Sequence, residues 1–249
     1  MDAPGIGRAM VLEPGEPAPR ALELCHWAEL DLGRPLDAHL HTDFTDGRAS
    51  PELMLAAARR AGLARVLISE HVRHDSTYFP DLVARVRALP PEGLTVYVGV
   101  ECKILDLGGR LDCPPWIAQQ AQAIVASVHS PPGGGGMAAW RGMGPAQALE
   151  LELALALAAV RHGRAHILGH PLGMVIKLFG LKPLDELRQL ARACRRHGKA
   201  LELNARYCPD PRAWLEIVQS EGCLVSLGSD AHGPEEVGLA WRIFARGER

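Results

Sequence analysis

The sequence predicts an α/β fold of about seven β-α units, and three observations predict it. From Leu36 onward, short apolar runs alternate with longer amphipathic stretches, the signature of strands and helices around a parallel sheet. Proline stands at or near the start of most amphipathic stretches, where its missing N–H costs nothing. The length, 249 residues, suits one α/β barrel, a fold that commonly runs to roughly 250 residues.

Residues 1–34 are proline-rich and without a clear period. They read as an N-terminal tail or irregular cover, which leaves residues 35–249 as the barrel domain. The expected strands are Leu36–Leu40, Arg65–Ser69, Thr95–Val100, Ala123–Val128, Ala165–Leu168, Ala200–Leu203 and Leu224–Leu227. The first helix opens at Ser50-Pro51-Glu52, a cap residue followed by proline. Further helices are expected over Pro80–Leu89, Pro145–Arg161, Pro183–His197, Pro211–Ser220 and Pro234–Phe244, with the least regular segment near Trp116–Gln122. Seven units can close into an incomplete or distorted barrel, and an open doubly wound sheet is the alternative. No Gly-x-Gly-x-x-Gly follows the first strand, so nothing supports a dinucleotide fold. The Gly133–Gly136 run reads as a flexible linker, because it opens no helix after a strand as a phosphate loop would.

Composition narrows the function. At 47% hydrophobic and 22% charged the chain is an ordinary globular protein. A net charge of −2 without a long basic run argues against an extended nucleic-acid surface. A small anionic substrate, needing one or two local cations, stays open. Six cysteines without a Cys-x-x-Cys pair suit a reducing cytoplasm. The amino terminus has no continuous apolar run, so no signal peptide is expected, and the apolar stretch from Leu149 to Val160 is too short and too acidic to span a bilayer.

The chemistry lies in where certain side chains fall. His39 and His41 end the first expected strand, with Asp46 in the loop after it. His71, Glu101 and His129 end the second, third and fourth, His170 follows the fifth, and Asp230 and His232 follow the seventh. In parallel α/β folds the carboxyl ends of the strands form one rim where active sites are built. Nine metal-competent side chains thus gather on one rim from segments far apart. Two histidines two residues apart share a strand face, and their neutral nitrogens suit zinc, iron or manganese. Each group alone has a plain alternative: a solvated histidine at a strand end, or a turn at Gly169-His170-Pro171 or Gly228-Ser229-Asp230. All would have to hold at once to dissolve the rim. The remaining histidines are read as structural or surface groups: His26, His74, His162, His166 and His197.

The motifs Asp37-x-His39-x-His41-Thr42, Glu70-His71, Gly99-Val100-Glu101, His129, Gly169-His170-Pro171 and Gly228-Ser229-Asp230-Ala231-His232 resemble the polymerase and histidinol phosphatase (PHP) superfamily. The resemblance runs from about residue 36 to 240. It implies a distorted TIM-like (β/α)7 barrel with a trinuclear metal site at the C-terminal rim. His39, His41, Glu101 and Asp230 match the ligands of a first metal, Glu101, His129 and His170 those of a second, and Asp46, His71 and His232 those of a third. Glu70 stands where many members have aspartate. The stretch Leu168–Gly180, the run Leu201-Glu-Leu-Asn204 and Pro234–Gly238 are similar to histidinol-phosphatase, although the Cys-Asp-His of that enzyme is absent.

The function expected is metal-dependent hydrolysis of a phosphoric ester of a small metabolite, histidinol phosphate among the candidates, in the cytoplasm. Two or three zinc, manganese or iron ions would serve as cofactors, with Glu101, Asp230 and His232 as catalytic residues. Arg206, Arg73 and Lys177 are the candidates for holding the phosphate. Hydrolysis of a diester or another activated bond, and a non-catalytic metal-binding module, are the rival readings.

Overall fold

The structure, a computed structural model, describes residues 11–15 and 21–247. Eight strands form its sheet: β1 (Cys25–His26), β2 (Leu36–Leu40), β3 (Arg65–Val72), β4 (Thr95–Lys103), β5 (Ile124–Ser127), β6 (Ile167–Leu168), β7 (Ala200–Asn204) and β8 (Leu224–Gly228). The helices are α1 (Pro51–Arg60), α2 (Phe79–Arg87), α3 (Pro115–Gln120), α4 (Gly136–Arg141), α5 (Pro145–His162), α6 (Gly173–Phe179), α7 (Leu184–His197) and α8 (Pro211–Glu221). No helix among the described residues is long and apolar enough to cross a membrane.

Strands β2 to β8 pair in sequence order and in parallel. The ring closes where β2 meets the end of β8: Leu40 bridges Ala231, His41 donates its N–H to the Ala231 carbonyl at 2.9 Å, and Ala231 donates to the His39 carbonyl at 3.2 Å. At the other end β1 pairs antiparallel with the start of β8. This is the expected seven-unit barrel, with one short antiparallel strand added from the segment read as cover. Other described parts of that segment also pack on the barrel: Leu12 bridges Leu111, and Leu22 is buried. Residues 1–10 and 16–20 of the segment lie outside the described residues.

The helices cover the outside because their apolar stripes have helical spacing. In α7, Leu187, Leu190, Ala191 and Cys194 recur at intervals of three and four and are all buried. Inside the ring, strand alternation takes over. Leu36, Ala38, Leu67, Ala123, Val125, Ile167 and Ala200 come from five different strands or their edges, yet pack as one cluster. Only the barrel interior lets them meet, and they plug its lower half.

A bulge in β2 then changes what the upper half receives. Asp37 pairs with Val66 but Leu40 pairs with Ile68, so β2 carries one extra residue. Leu36 and Ala38 face the interior plug, while Leu40 belongs to the outer core. The bulge inverts the alternation and turns His39 and His41 inward, a common use of bulges beside active sites.

Several sequence expectations need correction. The helix expected over Pro234–Phe244 is a series of turns followed by a π-helical turn at Trp241–Ala245. Its backbone is bound elsewhere: Gly238, at φ +78°, donates its N–H to Asp37, and Ala240 donates to Ser229. The Gly133–Gly136 run does open a helix, the six-residue α4, with all four glycines at positive φ. Helix α6 was not anticipated. Glu101 does not end its strand, since β4 continues to Lys103.

Candidate metal centre

The inward positions that are apolar low in the barrel become acidic and basic four residues further along. Tyr97, Gly99 and Glu101 alternate on β4, and Leu67, Ser69 and His71 on β3. Register pairs His71 directly with Glu101. His170 and Asp230 each lie two residues past a strand end with positive φ, +23° and +53°. Such backbone is uncommon away from glycine and clusters at functional sites.

Glu101, 1% exposed, is the hub. Its Oε1 lies 2.9 Å from His170 Nε2, 3.2 Å from His129 Nε2 and 3.5 Å from His39 Nε2. Its Oε2 lies 2.9 Å from His71 Nδ1 and 3.7 Å from His41 Nε2. Asp230 Oδ1 sits 3.3 Å from His41 Nε2. Asp46, on the loop after β2, places Oδ2 3.4 Å from both His71 Nε2 and His232 Nε2. All nine residues expected at the rim are therefore together. Among the described residues, three groups have donor atoms close enough to share an ion: His39 with His41 and Glu101, His71 with Glu101 and His129, and Asp46 with His41, His71 and His232. These overlap the motif-based sets without matching them, because His41 and His71 each face two groups.

The donor set fits divalent cations. His39 Nε2, both nitrogens of His41, His170 Nδ1 and Glu101 Oε2 are buried without a hydrogen-bond partner. Buried polar atoms are rarely left so, and each orphan costs roughly 1–3 kcal/mol. A bound cation would satisfy several at once. Imidazole and carboxylate together suit zinc, manganese or iron. Burial keeps His41 low, at about 4, and lowers His129, so these rings are neutral and ready to ligate. Burial opposes charge on Glu101, but His129, His39 and His71 outweigh it and hold the carboxyl well below its ordinary range. Hydrogen bonds from His232 and His71 hold Asp46 low in the same way. His71 is raised to about 10, because Glu101 and Asp46 overcome its burial. A divalent cation would compete with that proton.

Around this centre lies a supporting layer that the sequence reading did not assign. Glu202 on β7 is fully buried and accepts from His39 Nδ1 at 2.7 Å. Asp37 accepts from the Ser229 and Gly238 N–H groups at 2.9 and 2.8 Å, tying the Asp230 loop to β2. Glu70 accepts from Thr42 and Thr45 and so holds the loop that carries Asp46. Burial raises its carboxyl to about 7. Glu152 of α5 accepts from the Met174 and Val175 N–H groups, fixing α6 over the site. One signal was available: a charged residue inside an apolar strand, as at Glu202 in Ala200–Asn204, must have a partner.

A cavity of about 330 Å³ opens onto the centre, lined on its far side by Met137, Met174, Lys177, Arg206 and Tyr207. Arg206 lies 3.6 Å from Asp230 and 3.1 Å from Glu236, and the Lys177 ammonium lies 5.9 Å from the Tyr207 ring centroid. Arg73 does not line this cavity. It is half-exposed, 3.9 Å from Asp112, whereas the other two phosphate-holding candidates, Arg206 and Lys177, lie on the cavity wall. His74 also binds Asp112, at 3.0 Å. Buried His166 accepts from the Ile124 N–H, and His162 and His197 end α5 and α7, as their structural reading required.

No family model matches the chain. Curated relatives named "Probable phosphatase" do. One from Pectobacterium carotovorum is 28% identical over 210 residues, covering 80% of this chain and 78% of the relative. Another from Caldanaerobacter subterraneus is 26% identical over 220 residues, covering 82% and 78%. Among solved structures, histidinol phosphate phosphatase from Lactococcus lactis, complexed with zinc, L-histidinol and phosphate, shares the fold. Its TM-score is 0.68 at 21% identity, with 87% of this chain and 95% of that chain covered. Motifs, barrel and relatives agree: the chain shares its fold with histidinol phosphate phosphatase and is similar to curated relatives named probable phosphatase, consistent with the resemblance to the polymerase and histidinol phosphatase superfamily.

Proposed function

We propose that residues 35–249 form a metal-dependent phosphatase domain that hydrolyses the phosphomonoester of a small metabolite. The observation that carries this is Glu101: one buried carboxylate with histidines on both oxygens, at the mouth of a small cavity. It is a hydrolase of phosphoric ester bonds by the same chemistry its relatives' names imply. Divalent ions held by these residues would supply water activation near neutral pH and charge neutralisation for phosphoryl oxygens.

The chain's own residues divide the remaining work. By the resemblance, His39, His41, Glu101 and Asp230 would hold one ion, Glu101, His129 and His170 a second, and Asp46, His71 and His232 a third. Glu101, a buried carboxylate with histidines facing both oxygens, would supply those ions with negative charge that a neutral imidazole cannot. His232 donates Nδ1–H to the Asp230 carbonyl at 2.9 Å, which turns its Nε2 toward Asp46. Asp230 and His232 thereby stand at the cavity edge, where a proton must pass between water and the leaving oxygen. Arg206 and Lys177 line the cavity and offer cationic donors to phosphate oxygens. The cavity volume suits a small ester better than a polymer. Histidinol phosphate belongs in the first substrate panel, since the Lactococcus fold neighbour was solved with L-histidinol and phosphate. The six free cysteines fit a reducing cytoplasm as its place of work.

The test is turnover of p-nitrophenyl phosphate, bis(p-nitrophenyl) phosphate and a panel of phosphorylated metabolites by protein loaded with zinc or manganese. Monoester hydrolysis above diester hydrolysis is expected. Preference for the diester would move the reading to a phosphodiesterase, and no phosphoester turnover by metal-loaded protein would sink it.

A further inference from the structure

We propose that Glu202 is a positioning residue that presents His39 and His170 to the metal centre together, coupling the affinities of two ions. The inference rests on the metal site of the proposed function but not on its substrate. Glu202 lies in the middle of the barrel interior, one layer below the histidines, and is fully buried. Its two oxygens have different tasks. Oε1 lies 2.7 Å from His39 Nδ1, and Oε2 accepts the backbone N–H of His170 and the side-chain amide of Asn204 at 3.0 Å.

The first contact selects a tautomer. A carboxylate can only accept, so the His39 proton resides on Nδ1. That leaves the Nε2 lone pair pointing toward Glu101 and Asp230, 3.5 and 3.9 Å away, with no hydrogen-bond partner of its own. A carboxylate behind a ligating histidine also raises its basicity. The second contact holds a strained turn. His170 has φ +23°, and its N–H is anchored by Glu202. Its ring then reaches Glu101 on the oxygen that also faces His39. One carboxylate therefore grips a ligand from each of two sets.

The barrel makes room for this at one position. A Cβ at Gly228 would overlap the Glu202 carboxyl and come within 2.8 Å of His39 Cβ. The inward serines Ser69, Ser127 and Ser226, and the absence of a side chain at Gly169, keep the same layer thin. The network continues outward: Asn204 Oδ1 accepts from the Arg206 and Tyr207 N–H groups at 2.9 and 3.3 Å, both residues of the cavity wall.

The test measures zinc affinity of the full chain by competition with a chelating dye, beside circular dichroism of each variant. Glu202→Gln keeps an acceptor oxygen but loses the charge. It is expected to stay folded and to bind two ions about 10- to 100-fold more weakly, with Glu202→Ala weaker still. Asp46→Asn is expected to weaken only one. A second readout needs no variant: ¹⁵N–¹H correlation of the zinc-loaded wild type should show the His39 proton on Nδ1. Wild-type affinities in folded Glu202→Gln, weakening of a single ion, or a proton on His39 Nε2 would overturn the proposal. Because none of these readings uses turnover, a failed substrate screen would remove the phosphatase reading and leave this one standing. A wild-type protein that binds no ion would remove both.

Discussion

The lower and upper halves of the barrel interior are built on the same strands by the same alternation, yet they act in opposite directions. Below, Leu36, Leu67, Val125 and Ile167 are buried apolar groups. Each contributes roughly 1.5–3 kcal/mol by leaving water. Above, His39, His41, Glu101 and His170 are just as buried, but carry polar atoms without hydrogen-bond partners. Those groups cost stability in the folded chain until something satisfies them. The apolar half and the outer helices supply the rigidity that lets the polar half remain so arranged, as is usual where function and stability compete. Between them lies a thin layer of serine, glycine and Glu202, which belongs to the upper half in its chemistry and to the lower in its burial.

The comparison can be broken most sharply at Glu101. Glu101→Gln should lower kcat/KM by about a thousandfold or more, since several kcal/mol of charge stabilisation goes with the shared carboxylate. Metal analysis should show at least one ion lost, while circular dichroism stays unchanged. A variant retaining all its metal and most of its activity would remove Glu101 from the hub.

The complementary change is Leu67→Ala in the plug. It should destabilise the fold by about 2–5 kcal/mol in urea denaturation, with the metal-to-protein ratio unchanged in the folded protein. If metal content fell as well, the two halves would not be separable.

A smaller effect concerns protons. His71 is raised to about 10 by Glu101 and Asp46 acting against its burial, so it carries a proton at neutral pH. Ion binding must displace it. Calorimetric titrations with manganese at pH 7, in buffers of different ionisation heat, should report release of at least one proton. Identical heats in every buffer would contradict the proposed ligation by His71.

The smallest expected effect tests the support of α6. Burial raises Glu152 from 4.5 to about 7. The folded state therefore keeps a proton that the unfolded chain releases, and stability falls as pH rises through that window. Glu152→Gln cannot titrate. Its stability relative to wild type should improve between pH 5 and 7 in thermal melts taken at each pH. A constant difference would show that Glu152 is not the titrating group.

Much of this was readable beforehand because it depends on local rules. The expected strand limits Leu36–Leu40 and Ala200–Leu203 lie within a residue of β2 and β7. Proline at the helix starts located α1, α5 and α8. All nine rim residues gathered as strand ends in a parallel fold must. The failures have a common cause in contacts between distant segments. The segment after His232 is amphipathic enough for a helix, but Asp37 and Ser229 take its backbone donors. Arg73 follows His71 closely in sequence, yet pairs with Asp112. The glycine run offers no apolar period, so α4 left no sequence trace.

By itself, then, the amino-acid sequence determined the alternation of elements, the single rim and the chemical nature of its nine candidate ligands, because periodicity and residue type are local properties. The tertiary structure decided which oxygen of Glu101 faces which histidine, that a bulge in β2 turns His39 and His41 inward, and that Glu202 stands beneath them. Those depend on register and on the closing of the ring, where residues 163 positions apart meet at hydrogen-bonding distance.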